Sequence, residues 1–515
     1  MFYEKTALFL TLIALVLALC ACGPEVPAGT HKPANAGNSS STRPSSNIKT
    51  DECKDGHTFT DTGVACEKCG IDYFSATLEF KLNDTRDSYT LIGLGTCTRT
   101  VIHVPETYKN KPITEIATTA FNAVSNPACN EITEIVLPAS VVTIHSNAFF
   151  KCEKLSKVTI PNGVTTIGAD AFRGCTALES IRLPDALEEI SDGLFWECTS
   201  LMTVDIPVDS IWHIGSNAFN GCAILESLTL PDSVTKIDTN AFANCSALRS
   251  LRMSSNIENL GRNTFTGCDS LEYNIYNGMG YLGNDANPYV LLMCVKDPAQ
   301  KEVIIHENTK TVLYEAFTGA TITSLTLGKN LTFIPYGGLD SLTSLETISV
   351  AEGNPKYHTA GNCLIETETK ILIRGTGTSV IPSDGSVTII GSYAFSGIKG
   401  LTSIYIPDSI TVIQGMAFHK CAELTTVIIG KSLQSVELNG FSGCSSLAEV
   451  FYEGTASEWN KIDIPKSIGG GGMSFGDNKE LLDAERYYFS EEQPTGSGKY
   501  WHYVDGKPTP WEAAE

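Results

Sequence analysis

Cysteine is the residue type with the most chemical potential in this chain. There are 17 in 515 residues, and their spacings are not random. Cys53-Lys-Asp-Gly-His57 followed by Cys66-Glu-Lys-Cys69-Gly70 offers the donor types and the Cys-x-x-Cys knuckle of a tetrahedral Cys₃His zinc site. The same thiols would close a disulfide in an oxidising compartment, with His57 then an ordinary loop residue. Both alternatives stay open, and in either the role is structural, because no open coordination position or neighbouring base is suggested. Structural zinc is the one cofactor that this pattern admits; none is otherwise required. A second set comprises Cys152, Cys175, Cys198, Cys222, Cys245 and Cys268, then Cys421 and Cys444, each three residues after a phenylalanine. If the chain stacks, these thiols line up in rows. A metal or redox ladder is the chemical use of such a row. A narrow buried slot for a small apolar side chain is the packing use. Ala320 and Gly397 fall near the same slot and share only small size with cysteine, which favours packing.

Other catalytic signatures are missing. His306-Glu307 lacks the second histidine of a zinc-protease helix. The Gly469–Gly472 run is not followed by Lys-Ser/Thr, so it reads as a connection and not as a phosphate loop. His145 and His213 fall beside apolar repeat positions, where surface or capping roles are expected. No pair of carboxylates is singled out as an acid–base pair, so the reading is non-catalytic.

The elements that would position these residues come in a fixed order. Residues 7–19 form an apolar run behind Lys5, too short to span a bilayer comfortably but suited to a secretory signal. The run ends in Leu19-Cys20-Ala21-Cys22-Gly23, which resembles the lipobox of bacterial lipoproteins. That resemblance implies a signal peptide over 1–21 and a lipidated Cys22. Residues 22–50, rich in Pro, Ser, Ala, Gly and Asn, cannot bury enough surface to fold and read as a tether. The cysteine module occupies 51–75.

Beyond it, self-similarity dominates. Leu155-x-x-Val158-x-Ile160-Pro161-x-x-Val164-x-x-Ile167-x-x-x-Ala171-Phe172-x-x-Cys175-x-x-Leu178 recurs along the chain, and Phe149, Phe172, Phe195, Phe219, Phe242 and Phe265 are spaced by 23, 23, 24, 23 and 23 residues. Counting degenerate coils at Phe121, Phe317 and Leu339, the sequence predicts about 12 coils. In each, two apolar positions two residues apart face one side of a short strand, and proline ends it. Val-x-x-Ile then forms a second extended piece. The Ala-Phe-x-x-Cys-x-x-Leu spacing is that of a single helical turn, placing Phe, Cys and Leu inward. A lone coil buries none of this, whereas a stack does.

This pattern resembles the BspA-like (treponema-type) leucine-rich repeat family of bacterial surface proteins. The resemblance implies a β-rich leucine-rich-repeat solenoid of short parallel strands plus turn or short helical segments. An N-terminal cap is expected at 76–117 and repeats at 118–451, with islands at 272–302 and 351–385 that read as strand or hairpin extensions. A C-terminal aromatic cap is expected at 452–515, read as a hairpin turning at Pro494-Thr-Gly-Ser-Gly498. The strand positions between inward residues should face solvent. They are mostly small and hydroxylated, with Arg182, Arg252 and Tyr405 as their larger members, and form a candidate binding face. The alternative surface is the aromatic C-terminus with Tyr488, Tyr500, Trp501, Tyr503 and Trp511, which would suit glycan on an envelope or cell wall. A formal charge of −22 excludes nucleic acid as a partner. By resemblance, the chain is expected to be exported and held on the bacterial cell surface by its lipid alone. Its partners would be extracellular proteins or cell-surface ligands, with adhesion to host matrix proteins or other cells as the activity.

Overall fold

The computed structural model describes residues 78–465, 477–495 and 498–512, and the backbone of a short hairpin pairing 468–469 with 474–475. The signal segment, Cys22, the tether and the module with Cys53, His57, Cys66 and Cys69 lie outside the described residues.

Each coil begins with a three- or four-residue strand. Lys157–Thr159, Ser180–Arg182 and Ser227–Thr229 each bury their central aliphatic and expose both flanking residues, the alternation expected of a strand with one solvated face. A second, two-residue strand follows, and Glu189–Ile190, His213–Ile214, Lys236–Ile237 and Asn259–Leu260 pair in parallel, one per coil. Between them run the repeat phenylalanines, which stack ring on ring. Phe121 to Phe265 forms one column with centroids 4.9–6.0 Å apart. Phe395, Phe418 and Phe441 form another at 4.7–5.0 Å. The core is correspondingly in two clusters, one reaching from Leu78 to Leu364 and one beginning at Cys363.

The segment around each phenylalanine is not a helical turn. Residues two before and two after it adopt left-handed backbone, as at Asn147 and Lys151, Asp170 and Gly174, and Asn217 and Gly221. A left-handed residue breaks the i→i+4 pattern, so the bonds close as i→i+3 turns, such as Cys152 N–H to Phe149 O. The alternation also aims every second N–H at the next coil. Asn147, Phe149 and Lys151 donate to the carbonyls of Ala169, Ala171 and Arg173, and the same three-bond set recurs through Asn240, Phe242 and Asn244. This turn ladder is a third line of inter-coil hydrogen bonding beside the two strand ladders.

The solenoid has about 16 turns, more than the 12 expected. The difference comes from segments that pair with the ladders without carrying the Phe-x-x-Cys mark. Tyr89–Gly93 pairs in parallel with Lys111–Ile116, which pairs with Thr143–Ile144. In the first island Met279–Leu282 forms a hairpin with Leu291–Val295, which then pairs in parallel with Thr311–Val312. In the second, Cys363–Glu366 and Ile371–Arg374 do likewise, the latter joining Ile389–Ile390.

The C-terminal end departs from expectation in one detail. Glu485–Phe489 adds in parallel to Glu449–Tyr452, and Tyr500–Val504 pairs in parallel with Glu485–Phe489, so no hairpin turns at Pro494–Gly498. The hairpin lies later, between Tyr500–Val504 and Lys507–Pro510. Its turn is Asp505-Gly506, both at positive φ, which is the two-residue geometry that matches strand twist.

Candidate binding surfaces

The cysteine rows are the first of the chemically suggestive features to be located. All eight ladder cysteines are buried free thiols. Each S–H donates to the carbonyl of the phenylalanine one coil earlier, from Cys152 to Phe121 at 2.8 Å, through Cys198 to Phe172 at 3.1 Å, to Cys444 on Phe418 at 3.1 Å. That carbonyl also accepts the N–H of its own coil's cysteine where there is one, as Phe149 does from Cys152. Burial pushes the Cys175 and Cys222 thiols well above their ordinary range, so they are neutral, and Cys129 rises to about 11 for the same reason. Gly397 proves to be one of the left-handed residues, and the slot itself is filled there by buried Ile398. Among the described residues no three His, Cys, Asp or Glu side chains converge as a metal site. No helix among them is long and apolar enough to cross a membrane.

The two histidines beside the repeat contact carboxylates on the second-strand side. His145 meets Glu115 at 3.1 Å. His213 lies between Glu189 at 3.2 Å and Asp238 at 2.7 Å, joining three successive coils.

The first-strand face is where the sequence places a binding surface. Arg182 is exposed but held by three neighbours: Nε donates to Asp205 at 3.2 Å, Nη1 to Asn162 at 2.9 Å and Nη2 to Asp185 at 2.9 Å. Arg252 is half-buried, bonded to the Leu230 carbonyl at 2.9 Å and to Asp232 at 3.2 Å. Exposed pairs of this kind add little stability, but they fix the guanidinium orientation. The face is also interrupted. Ser180–Arg182 pairs with Thr203–Asp205, and Ser227–Thr229 with Ser250–Arg252, yet these are two separate sheets. One interruption separates Lys157–Thr159 from Ser180–Arg182 in coils of regular spacing, and another falls in the 24-residue coil, whose extra residue lies in the Ile206-Pro207-Val208-Asp209 stretch. A depression of about 650 Å³ opens there, with Val208 72% exposed at its margin and Asp205, Asp209 and Asp232 around it. The irregular spacing is the sequence signal that marks this place.

Toward the C-terminus the same face becomes aromatic. Phe451 stacks on Tyr487 at 5.0 Å and meets Trp501 edge-on at 5.5 Å. Trp501 is fully buried, with its indole N–H donating to the Tyr452 carbonyl at 3.0 Å, so its ring is closed to any ligand. Tyr488 packs against the second core cluster. Tyr500 is half-buried, and Trp511 likewise, with its N–H on the Ser490 carbonyl at 3.0 Å. Tyr503 is exposed, and its hydroxyl shares the Glu453 carboxylate with that of Tyr405, at 2.7 and 3.3 Å. Burial and the Glu453 charge raise the Tyr405 phenol to about 12. Two strands thus converge on the carboxylate that follows a third, a link that no local spacing in the sequence reveals.

A family profile described as BspA type leucine rich repeat region matches residues 114–223, 208–286, 296–367 and 376–463, in six copies. No curated protein matches in sequence. Several solved structures are similar in part. A leucine rich repeat protein of T. pallidum is 31% identical over 38% of this chain and 89% of its own, with a TM-score of 0.35. A leucine rich cell surface protein of Faecalibacterium prausnitzii is 23% identical over 77% of this chain and 99% of its own, with a TM-score of 0.37. A leucine-rich repeat protein of Bacteroides ovatus is 22% identical over 76% and 96%, with a TM-score of 0.35.

Proposed function

Because the chain belongs to the BspA-type leucine-rich repeat family, we propose that it is a non-catalytic binding scaffold displayed on a bacterial cell surface, recognising extracellular proteins or other surface ligands. The observation that carries this reading is the first-strand face. It repeats one pair of outward side chains per coil, mostly Ser and Thr, across successive coils from Lys157 to Arg252. A surface of that kind makes many shallow contacts, and affinity grows with the number engaged. In this reading Cys22 carries the lipid, residues 22–50 the reach, and the 51–75 module a structural zinc or a disulfide. Adhesion to host matrix proteins or to other cells is the activity that follows.

The competing use of the aromatic C-terminus as a glycan platform is disfavoured by Trp501, whose ring is enclosed by Phe451, Phe489 and Tyr503. The test is a pull-down with the full chain against purified matrix proteins and purified cell wall. Retention by a matrix protein, weakened when Arg182 and its neighbouring Ser180 are both changed to Glu, is the expected result. Retention by cell wall alone sinks the adhesion reading.

A further inference from the structure

The two phenylalanine columns are separated by coils that lack a stacking ring in register, and at Leu339 the repeat phenylalanine is gone. There the segment Pro335-Tyr336-Gly337-Gly338 closes a tight turn, Gly338 N–H donating to the Pro335 carbonyl at 2.7 Å. A cavity of about 630 Å³ opens between the coil that ends at Arg262 and the coil that carries Tyr393. That volume is in the range of small-ligand sites. We propose that this cleft is a carbohydrate-binding site that takes a short oligosaccharide.

Three observations point to sugar. The first is the rings at its rim. Tyr336 is 61% exposed, and its ring meets Tyr393 edge-on at 5.5 Å, leaving an aromatic face free for the C–H face of a pyranose. The second is a convergence of unlike groups. Gly337 is in left-handed backbone, and a Cβ added to it would come within 3.3–3.4 Å of the Tyr314 ring, Arg262 Nη2 and Asp340 Oδ2 together. A ring, a cation and a carboxylate are therefore gathered around one point that no side chain fills. Arg262 is set by the Tyr314 ring 4.2 Å beneath it and by the Tyr336 carbonyl at 3.1 Å, and Asp340 by the Tyr314 hydroxyl at 3.3 Å. The third is a preorganised wall: Arg374, itself fully buried, bonds the carbonyls of Leu342, Tyr393 and Ser396 through its two terminal nitrogens and so fixes the segment that carries Tyr393.

The lining chemistry also separates sugar from the alternatives. Sugar hydroxyls donate and accept at once, so they need the mixture that Asn259, Gln414, Ser392 and Asp340 provide. A phosphate-bearing ligand would meet the carboxylates of Asp238, Asp340 and Glu366 in the same walls.

The test is isothermal titration of the full chain with maltotriose, chitotriose, mannotriose and cellotriose. Saturable binding of at least one is expected, weakened at least about tenfold in Tyr336→Ala and in Arg262→Ala and unchanged in Tyr503→Ala. Tyr336 is exposed, so the melting temperature of its variant should match the parent. The proposal is overturned if none of the sugars binds at about 1 mM, or if binding survives Tyr336→Ala. It is equally overturned if binding is lost in Tyr503→Ala. Loss of matrix-protein retention in the earlier pull-down bears on the scaffold reading and leaves this one standing.

Discussion

At the residue scale the ladder cysteine does two things at once: it fills a narrow slot, and it gives a weak hydrogen bond to the coil before it. The bond is the smaller effect, since every accepting carbonyl but that of Phe121 also takes a backbone N–H, and Ile398 fills the slot without a thiol. Cys198→Ala should therefore cost only about 1–2 kcal/mol, against about 3–5 for Phe195→Ala, which removes a ring from the middle of the column. Denaturant unfolding would measure both, and equal costs would refute this ranking. The raised thiols also set a pH dependence. Cys175 and Cys222 stay protonated in the folded chain while the unfolded chain titrates near the ordinary value of 9.0. The native state then binds more protons above pH 9, so their contribution is complete below that value and declines as pH rises, by about 1.4 kcal/mol per unit per thiol. Urea unfolding at pH 8 and 10 should show that loss, and a Cys175→Ala, Cys222→Ala variant should show a shallower one. An identical slope in the two proteins would remove the thiols as its source.

At the element scale the decisive unit is the turn built around each phenylalanine. Its left-handed positions carry the cost that asparagine, aspartate and glycine tolerate best. Asn217→Val, at φ 57°, should destabilise by about 1–3 kcal/mol, whereas Asn217→Gly should be close to neutral. Thermal melts of the two variants check this, and a neutral valine would show that the turn relaxes. The inward positions of this unit were readable from apolar spacing, since Phe, Cys and Leu do point to the core. Its backbone was not, because a spacing of three to four residues is shared by a helical turn and by consecutive i→i+3 turns. The Asn, Asp and Gly two residues before Phe149, Phe172, Phe195 and Phe219 carried the missing signal. Tyr393 and Met416 obscured it by adopting left-handed backbone themselves. The last hairpin lies away from the segment richest in turn formers for a related reason. Pro494–Gly498 is richer in turn formers, but Asp505-Gly506 is the pair whose twist joins two antiparallel strands. The cleft at Leu339 was out of reach altogether, because it depends on Arg262 meeting Tyr336 across 74 positions.

At the scale of the whole molecule the coils share one direction. Within each phenylalanine column every coil accepts from the coil before it and donates to the coil after it, so the last coil of the second column is left with donors. Asn478 and Glu480 supply what is missing: Asn478 Oδ1 accepts from Phe441 N–H at 3.1 Å and Glu480 Oε1 from Gly443 N–H at 2.9 Å. Asn478 is itself buried and returns a bond to the Glu437 carbonyl at 3.0 Å. Asn478→Ala strips a buried donor and a buried acceptor, so a loss of about 2–3 kcal/mol is expected, with faster amide exchange at Phe441 and Gly443. Unchanged exchange at those amides would exclude the capping role. Removing residues 485–512 should act more severely, exposing the Glu449–Tyr452 edge and Phe451, and aggregation on light scattering is the expected readout. A matched polarity of this sort also bears on heredity. A duplication or deletion of one whole repeat inside either column leaves every donor facing an acceptor, whereas the ends are closed by side chains, Glu315 on Asn263 N–H for the first column and Asn478 with Glu480 for the second. The length of such a gene is therefore free to drift by whole units, while the end of each column is held fixed by side chains.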